Sequence, residues 1–352
     1  MRRGLMAWEA DEIPVRVLTE RAARLQAAMA TADQDAIILY TNFIRSAAVS
    51  HLSAFSPYWA DGMLLVPRKG EIVFATTLSK RVGTWIQSVK PVGDLVNSPT
   101  PGKVLGERLA KAGGVRRVAI LELDAFPAGL YAELSAALPG VEFVDGSEAF
   151  ASSRVPADPI ELHLLQRADT VAQAALASLR EANTVGAAAG AVEVHARLHG
   201  AEEVYVAIAP DLDSDRRFLR LSGDRPLGRR FAIRATVAYK GSWVRHTKTY
   251  SQDSKDRSAI ERADIWFKVF ADRLLPSRPL HGQIGSAVAR LPNPKLVDWL
   301  AEAPAGTRPL AVIDSSARPS ETFKPAPALI LSVALTVDGM PWCGARLVGG
   351  IA

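Results

Sequence analysis

The sequence is poor in cysteine. One thiol, Cys343, serves 352 residues, so no disulfide can form within the chain and a reducing, cytoplasmic setting is expected. Long apolar runs are also missing. No window approaches the roughly 18 uninterrupted apolar residues that a membrane-spanning helix needs. The opening stretch, MRRGLMAWEADEIP, has two arginines but no apolar run behind them, so no secretory signal is expected. No short-period repeat, low-complexity tract or charged tail is present, which removes the solenoid and disordered-tail classes.

What is present suits a globular protein of two domains. Hydrophobic residues make up 48% and charged residues 22%, enough apolar surface for a packed core. The formal charge is +5, a modest excess that suits either an anionic ligand or weak polyanion binding and does not single out nucleic acid. The excess is uneven. Arg216, Arg217, Arg220, Arg225, Arg229, Arg230 and Arg234 fall within one short stretch.

Periodicity predicts a helix over 13–30, a buried strand at 35–40 and a strand–turn–strand unit over 62–75 that turns at Arg68-Lys-Gly70. Helices are predicted at 79–90, 99–112 and 128–138, with strands at 118–122 and 141–144. This alternation marks a layered α/β domain ending near residue 150. The proline-bearing stretch 151–159 reads as a linker. Beyond it the pattern predicts helices at 160–182, 187–200 and 258–274, with one or two more within 281–302. Strands are predicted at 202–209, 311–313, 328–337 and 345–348. The class is α+β, with domains at 1–152 and 153–352.

Residues 231–250, FAIRATVAYKGSWVRHTKTY, read as a β-hairpin turning at Lys240-Gly241. Arg234 and Arg245 lie one on each arm. Side chains alternate along a strand, so Trp243, Thr247 and Thr249 share a face with Arg245 while His246 and Lys248 point away, unless a bulge intervenes.

Four stretches resemble the creatinase/aminopeptidase P/methionine aminopeptidase (peptidase M24) family, the pita-bread fold. His51-Leu-Ser-Ala-Phe55 is similar to a Tyr-Leu-Thr-Gly-Phe stretch of that family's N-terminal domain. DPIELHLLQRA, Asp158–Ala168, is similar to the start of its catalytic domain. Gly200–Tyr205 looks like the strand after the second helix. Leu227–Ala235, with Tyr239-Lys-Gly241 and Thr247-Lys-Thr249, looks like the metal-binding hairpin. The resemblance implies a creatinase-like N-terminal α/β domain followed by a pita-bread domain, and a homodimer.

Catalytic members hold two divalent metals with two aspartates, a histidine and two glutamates. By this resemblance the aspartates fall on Arg234 and Arg245, and the glutamates near Ser332 and Leu347. The histidine has no clear counterpart, since His281 sits too early. Guanidinium groups stay protonated and repel a dication, so neither a catalytic metal nor another cofactor is expected.

Two functions follow. One is a metal-independent, creatinase-like enzyme acting on a small anionic compound by C–N hydrolysis or lyase chemistry. Arg234, Arg245, Arg217 and Ser332 would bind the anion, and His246 or His51 would move a proton. The other is a non-catalytic module that binds peptide, protein or RNA. Structural roles stand beside these. Arg234 can pair with an internal acid such as Asp314 or Glu321, and the other loop arginines can be a solvated surface. His195 and His199 suit an exposed helix face, and Cys343 suits a buried small residue.

Overall fold

A computed structural model describes the chain except residues 1–7, 43–44, 56–59, 90–92, 155–157, 180, 276–277, 304–310, 314–327 and 350–352. Two compact units divide between Ile160 and Glu161. No helix among the described residues is long and apolar enough to cross a membrane.

The N-terminal unit contains α1 (Val15–Thr31), β1 (Ala36–Thr41), α2 (Ala47–Ser53), β2 (Gly62–Pro67), β3 (Val73–Thr76), α3 (Gly83–Val89) and β4 (Asp94–Asn97). It continues through α4 (Pro101–Ala112), β5 (Arg117–Ile120), α5 (Ala128–Ala137), β6 (Glu142–Asp145) and α6 (Ser147–Ser153). The sheet order is β4-β3-β2-β1-β5-β6. β1 pairs antiparallel with β2 and parallel with β5. Its run AIILY is apolar without alternation because both faces of the sheet are covered. Val17, Arg21, Leu25 and Met29 repeat every four residues and turn one stripe of α1 inward. The arginine in that stripe is held by Asp158, at 2.7 and 2.9 Å, and by the His51 carbonyl oxygen at 2.9 Å.

The C-terminal unit contains α7 (Pro159–Ala177), α8 (Val185–Leu198), β7 (Glu203–Ala209), β8 (Arg230–Tyr239), β9 (Ser242–Ser251), α9 (Arg257–Arg273) and α10 (Leu280–Val288). It ends with β10 (Lys295–Ala303), β11 (Ala311–Ile313), β12 (Ala328–Val337) and β13 (Met340–Gly349). The sheet is antiparallel, in the order β11-β10-β12-β13-β9-β8-β7. Lys240 and Gly241 have φ of 46° and 77°, the two left-handed residues a tight hairpin turn requires.

Helices cover one face of this sheet. Val171, Ala175, Val192 and Ala196 pack on Ile233, Ala235 and Val237. Ile260, Phe267 and Ile284 pack on Leu329, Leu331, Val333 and Trp342. The alternate positions, among them Arg234, Thr236 and Ser332, therefore project from the opposite face.

Within 281–302 one helix forms, and after a turn over 289–294 the chain continues as strand β10, which the pattern did not predict and which pairs with β12 through a bulge at Leu296/Asp298. Its sequence KLVDWLAEA is ambiguous locally, and pairing with a strand thirty residues away decides it. His51 lies in helix α2. Tyr58 and Trp59, in the same region, fall outside the described residues.

Candidate functional site

One cross-strand row organises the uncovered face of the C-terminal sheet. Arg234 pairs with Thr247, Thr247 with Ala345, Ala345 with Ser332, and Ser332 with Leu300. Directly paired residues share a face, so five strands deliver these side chains side by side. The pairing of β8 with β9 is unbroken from Arg230↔Ser251 to Tyr239↔Ser242. With no bulge, the parity read from sequence holds.

A cavity of about 510 Å³ lies over this row. Arg234, Thr247 and Ser332 line it from the sheet, Arg216, Arg217 and Phe218 from the loop after β7, and Val297 and Asp298 from β10. Backbone hydrogen bonds between Leu219 and Ile208, at 2.8 and 3.0 Å, tie that loop to β7. Such a volume suits a small molecule.

The two hairpin arginines have different fates. Arg245 donates to both carboxylate oxygens of Glu302 at 2.5 Å and to Thr236 Oγ1 at 3.2 Å. Glu302 is 0% exposed. This arm of the expected clamp is already neutralised, and Arg245 is not part of the cavity lining. Arg234 has no carboxylate partner among the described residues. Its guanidinium carbon lies 4.0 Å from the Phe218 ring centre, a cation–π contact, and its Nε reaches Thr247 Oγ1 at 3.4 Å. Burial first, and the Arg245 charge second, push its pKa down to about 10, so it remains a cation at neutral pH. Asp314 and Glu321, the acids weighed as its partners, lie outside the described residues.

Ser332 is 8% exposed, and its hydroxyl has no hydrogen-bond partner among the described residues. A buried hydroxyl left without a partner costs about 1–3 kcal/mol, a cost that a bound acceptor would remove. Arg217 pairs with its neighbour Asp215 at 2.8 Å. Cys343 is buried, and burial pushes its thiol pKa up to about 11. It is a protonated wall residue and a poor nucleophile at neutral pH.

The other loop arginines are not simply a solvated surface. Arg216 reaches across to Thr336 Oγ1 at 2.9 Å, and Arg220 stacks over Tyr205 at 4.4 Å. Arg229 and Arg230 bind Asp256 at 3.2 and 2.8 Å. Loop and sheet are thereby tied together.

Neither sequence-predicted histidine lines this cavity. His246 points to the helix-covered face, 3.4 Å from Asp169. His51 is buried in the N-terminal unit beside Phe150, and burial, followed by the charges of Arg154, Arg21 and Arg24, holds its pKa well below the ordinary value. His195 and His199 stack on α8 with ring centres 4.2 Å apart. Glu302 was missed by sequence reasoning, because its stretch did not read as a strand on this sheet.

The donors do not fit a pair of divalent metals. Hard dications need several convergent carboxylates. Here the sheet presents a guanidinium, two hydroxyls, the exposed Asp298 and a glutamate already held by Arg245, and the loop adds Asp215, which Arg217 engages. No cluster of three histidine, cysteine or acidic ligands converges at this cavity among the described residues.

Comparison with known proteins bears on the fold. Residues 21–155 match the family model described as the Creatinase/Prolidase N-terminal domain. No curated protein matches the chain by sequence. The X-Pro aminopeptidase of Thermotoga maritima MSB8 superposes with a TM-score of 0.68 at 14% identity, covering 94% of this chain and 98% of that one. The prolidase of Pyrococcus horikoshii OT3 gives 0.64 at 15%, covering 93% and 94%. The N-terminal domain of the FACT complex subunit SPT16 from Eremothecium gossypii gives 0.63 at 12%, covering 96% and 94%. The N-terminal unit thus belongs to the creatinase/prolidase N-terminal domain family, and the whole chain has the two-domain α+β pita-bread fold shared by prolidases and X-Pro aminopeptidases.

Proposed function

We propose that the Arg234 cavity binds a small organic anion without a metal ion, and that the chain is a metal-independent relative of the hydrolases whose fold it shares. The observation that carries this reading is the pairing of two unsatisfied groups. Among the described residues, the Arg234 guanidinium lacks a carboxylate partner and the buried Ser332 hydroxyl lacks a hydrogen-bond partner. A carboxylate seated between them would accept from both. Arg217 and Arg216 at the rim add a positive field that draws anions in.

Binding is better supported than turnover. C–N hydrolysis or elimination needs a group that carries a proton near neutral pH. The cavity has Asp215, which is engaged by Arg217, and Asp298, which is exposed at its rim. A hydrolytic reading would have to use Asp298. The neighbour named as a subunit of the FACT complex favours keeping a binding role in view. Homodimer formation and a cytoplasmic setting remain part of this proposal.

Thermal shift with a panel of small carboxylates tests it. A carboxylate should raise the melting temperature of the wild-type protein, and Arg234→Ala should weaken its binding by about tenfold or more. Equal binding by Arg234→Ala would refute the assignment. Hydrolysis of the bound compound by wild type but not by Asp298→Asn would establish an enzyme instead of a binder.

A further inference from the structure

A second cavity, of about 490 Å³, lies on the helix-covered face of the same sheet. α7 and α9 wall it on one side, β9 and β13 on the other. Strands β9 and β13 therefore separate it from the Arg234 cavity, with Thr247 and Ala345 paired between them.

Its lining combines weakly paired cations with an aromatic wall. Lys248 is half-buried, and among the described residues no carboxylate lies within ion-pair distance of it. Its ammonium lies 5.7 Å from the Tyr250 ring centre and acts on the Asp264 carboxylate through space. The Arg346 side chain is 16% exposed. Its Nε is buried with no hydrogen-bond partner among the described residues, and its Nη2 lies 3.8 Å from the exposed Asp272. An exposed contact that long contributes little. Register places Arg346 beside His246, since Ala345 and Thr247 are paired in antiparallel strands. Lys268 adds a third cation from α9. Trp342 and Phe267, with ring centres 5.4 Å apart, form an apolar wall.

Two acids limit what can enter. Asp264 lines the cavity and accepts from Trp342 Nε1 at 2.9 Å. Asp169 lies beyond His246 and is held by Gln173. A dianion would meet the Asp264 carboxylate at close range, whereas one negative charge placed between Lys248 and Arg346 is favoured. A bare metal cation would meet Lys248, Lys268 and Arg346 instead.

We propose that this helix-side cavity is a second ligand site. It takes a small organic monocarboxylate, whose charge lies between Arg346 and Lys248 and whose apolar body lies against Trp342 and Phe267. The carboxylate would supply an acceptor for Arg346 Nε, and the apolar body would lie against the ring wall. The inference does not depend on the Arg234 cavity, since the two share no cation.

Crystals of the full chain soaked with para-iodobenzoate test the site directly, because the anomalous signal of iodine reports position. Iodine beside Trp342 is the expected result. Iodine found only in the Arg234 cavity, or nowhere at millimolar concentration, overturns the proposal. Calorimetric titration of benzoate supplies a second readout. Binding at this site should survive in Arg234→Ala and weaken by about tenfold or more in Lys248→Gln/Arg346→Gln. Unchanged benzoate binding by that double variant would equally overturn it. Circular dichroism of each variant separates lost binding from lost folding.

Discussion

Arg245 and Glu302 form an ion pair at 2.5 Å, with the glutamate wholly buried. The contact joins the β8–β9 hairpin to β10, on the other side of β13 and β12. It turns one of the two hairpin arginines into a structural residue.

That pair predicts an asymmetric mutational cost. Glu302→Ala leaves a mostly buried guanidinium without its counter-charge and should cost about 3–5 kcal/mol. Replacing both partners, as Arg245→Met/Glu302→Leu, should cost far less, because no buried charge is then left alone. Urea unfolding of the single and double variants measures the difference. Equal losses would mean that the pair is not the determining contact.

The donor set predicts metal content. Purified protein should hold no stoichiometric manganese, zinc, iron or cobalt by plasma mass spectrometry, and a chelator should leave the melting temperature unchanged. Two arginines and a serine standing where the family resemblance expects carboxylates are the reason.

Glu202 predicts a pH dependence of stability. Its carboxylate accepts the backbone N–H groups of Lys240 at 2.6 Å and Gly241 at 3.1 Å, and so holds the hairpin turn. Burial nevertheless pushes its pKa up to about 7, the backbone hydrogen bonds opposing only in part. A folded-state pKa above the unfolded value means that the folded state binds the proton more tightly. The contribution is complete below about pH 4.3, the ordinary glutamate value, and is lost as pH rises through 7. Glu202→Gln should flatten the stability profile over that window, measured by urea unfolding at several pH values. A profile as steep as wild type would show that another group is responsible.

Gly344 predicts a packing defect. A Cβ there would lie 2.6 Å from Trp342 Cζ2 and 3.1 Å from Phe267 Cδ1. Gly344→Ala should cost about 1–3 kcal/mol and displace the indole. Because Trp342 also walls the helix-side cavity, the same substitution should weaken benzoate binding there.

Much of this was legible in the sequence because it rests on local periodicity. The β8–β9 hairpin follows from its alternation and from Lys240-Gly241. The same alternation correctly places His246 and Lys248 on the face opposite Arg234. Apolar stripes also identify α1, α7 and α9 to within a few residues, apart from the last turn of the predicted 160–182 helix.

Tertiary structure alone decided the rest. KLVDWLAEA has no strong strand or helix period, and only its pairing with β12 makes it a strand. That pairing brings Glu302 to Arg245 and so separates two arginines that look equivalent in sequence. Likewise, Lys248 and Arg346 are nearly a hundred residues apart and line one cavity only because β9 and β13 are neighbours. Sequence by itself determined which side chains share a face, because that depends on backbone geometry within one strand. Which charges are neutralised and which stand open to a ligand depends on contacts between distant segments, and only the folded sheet decides them.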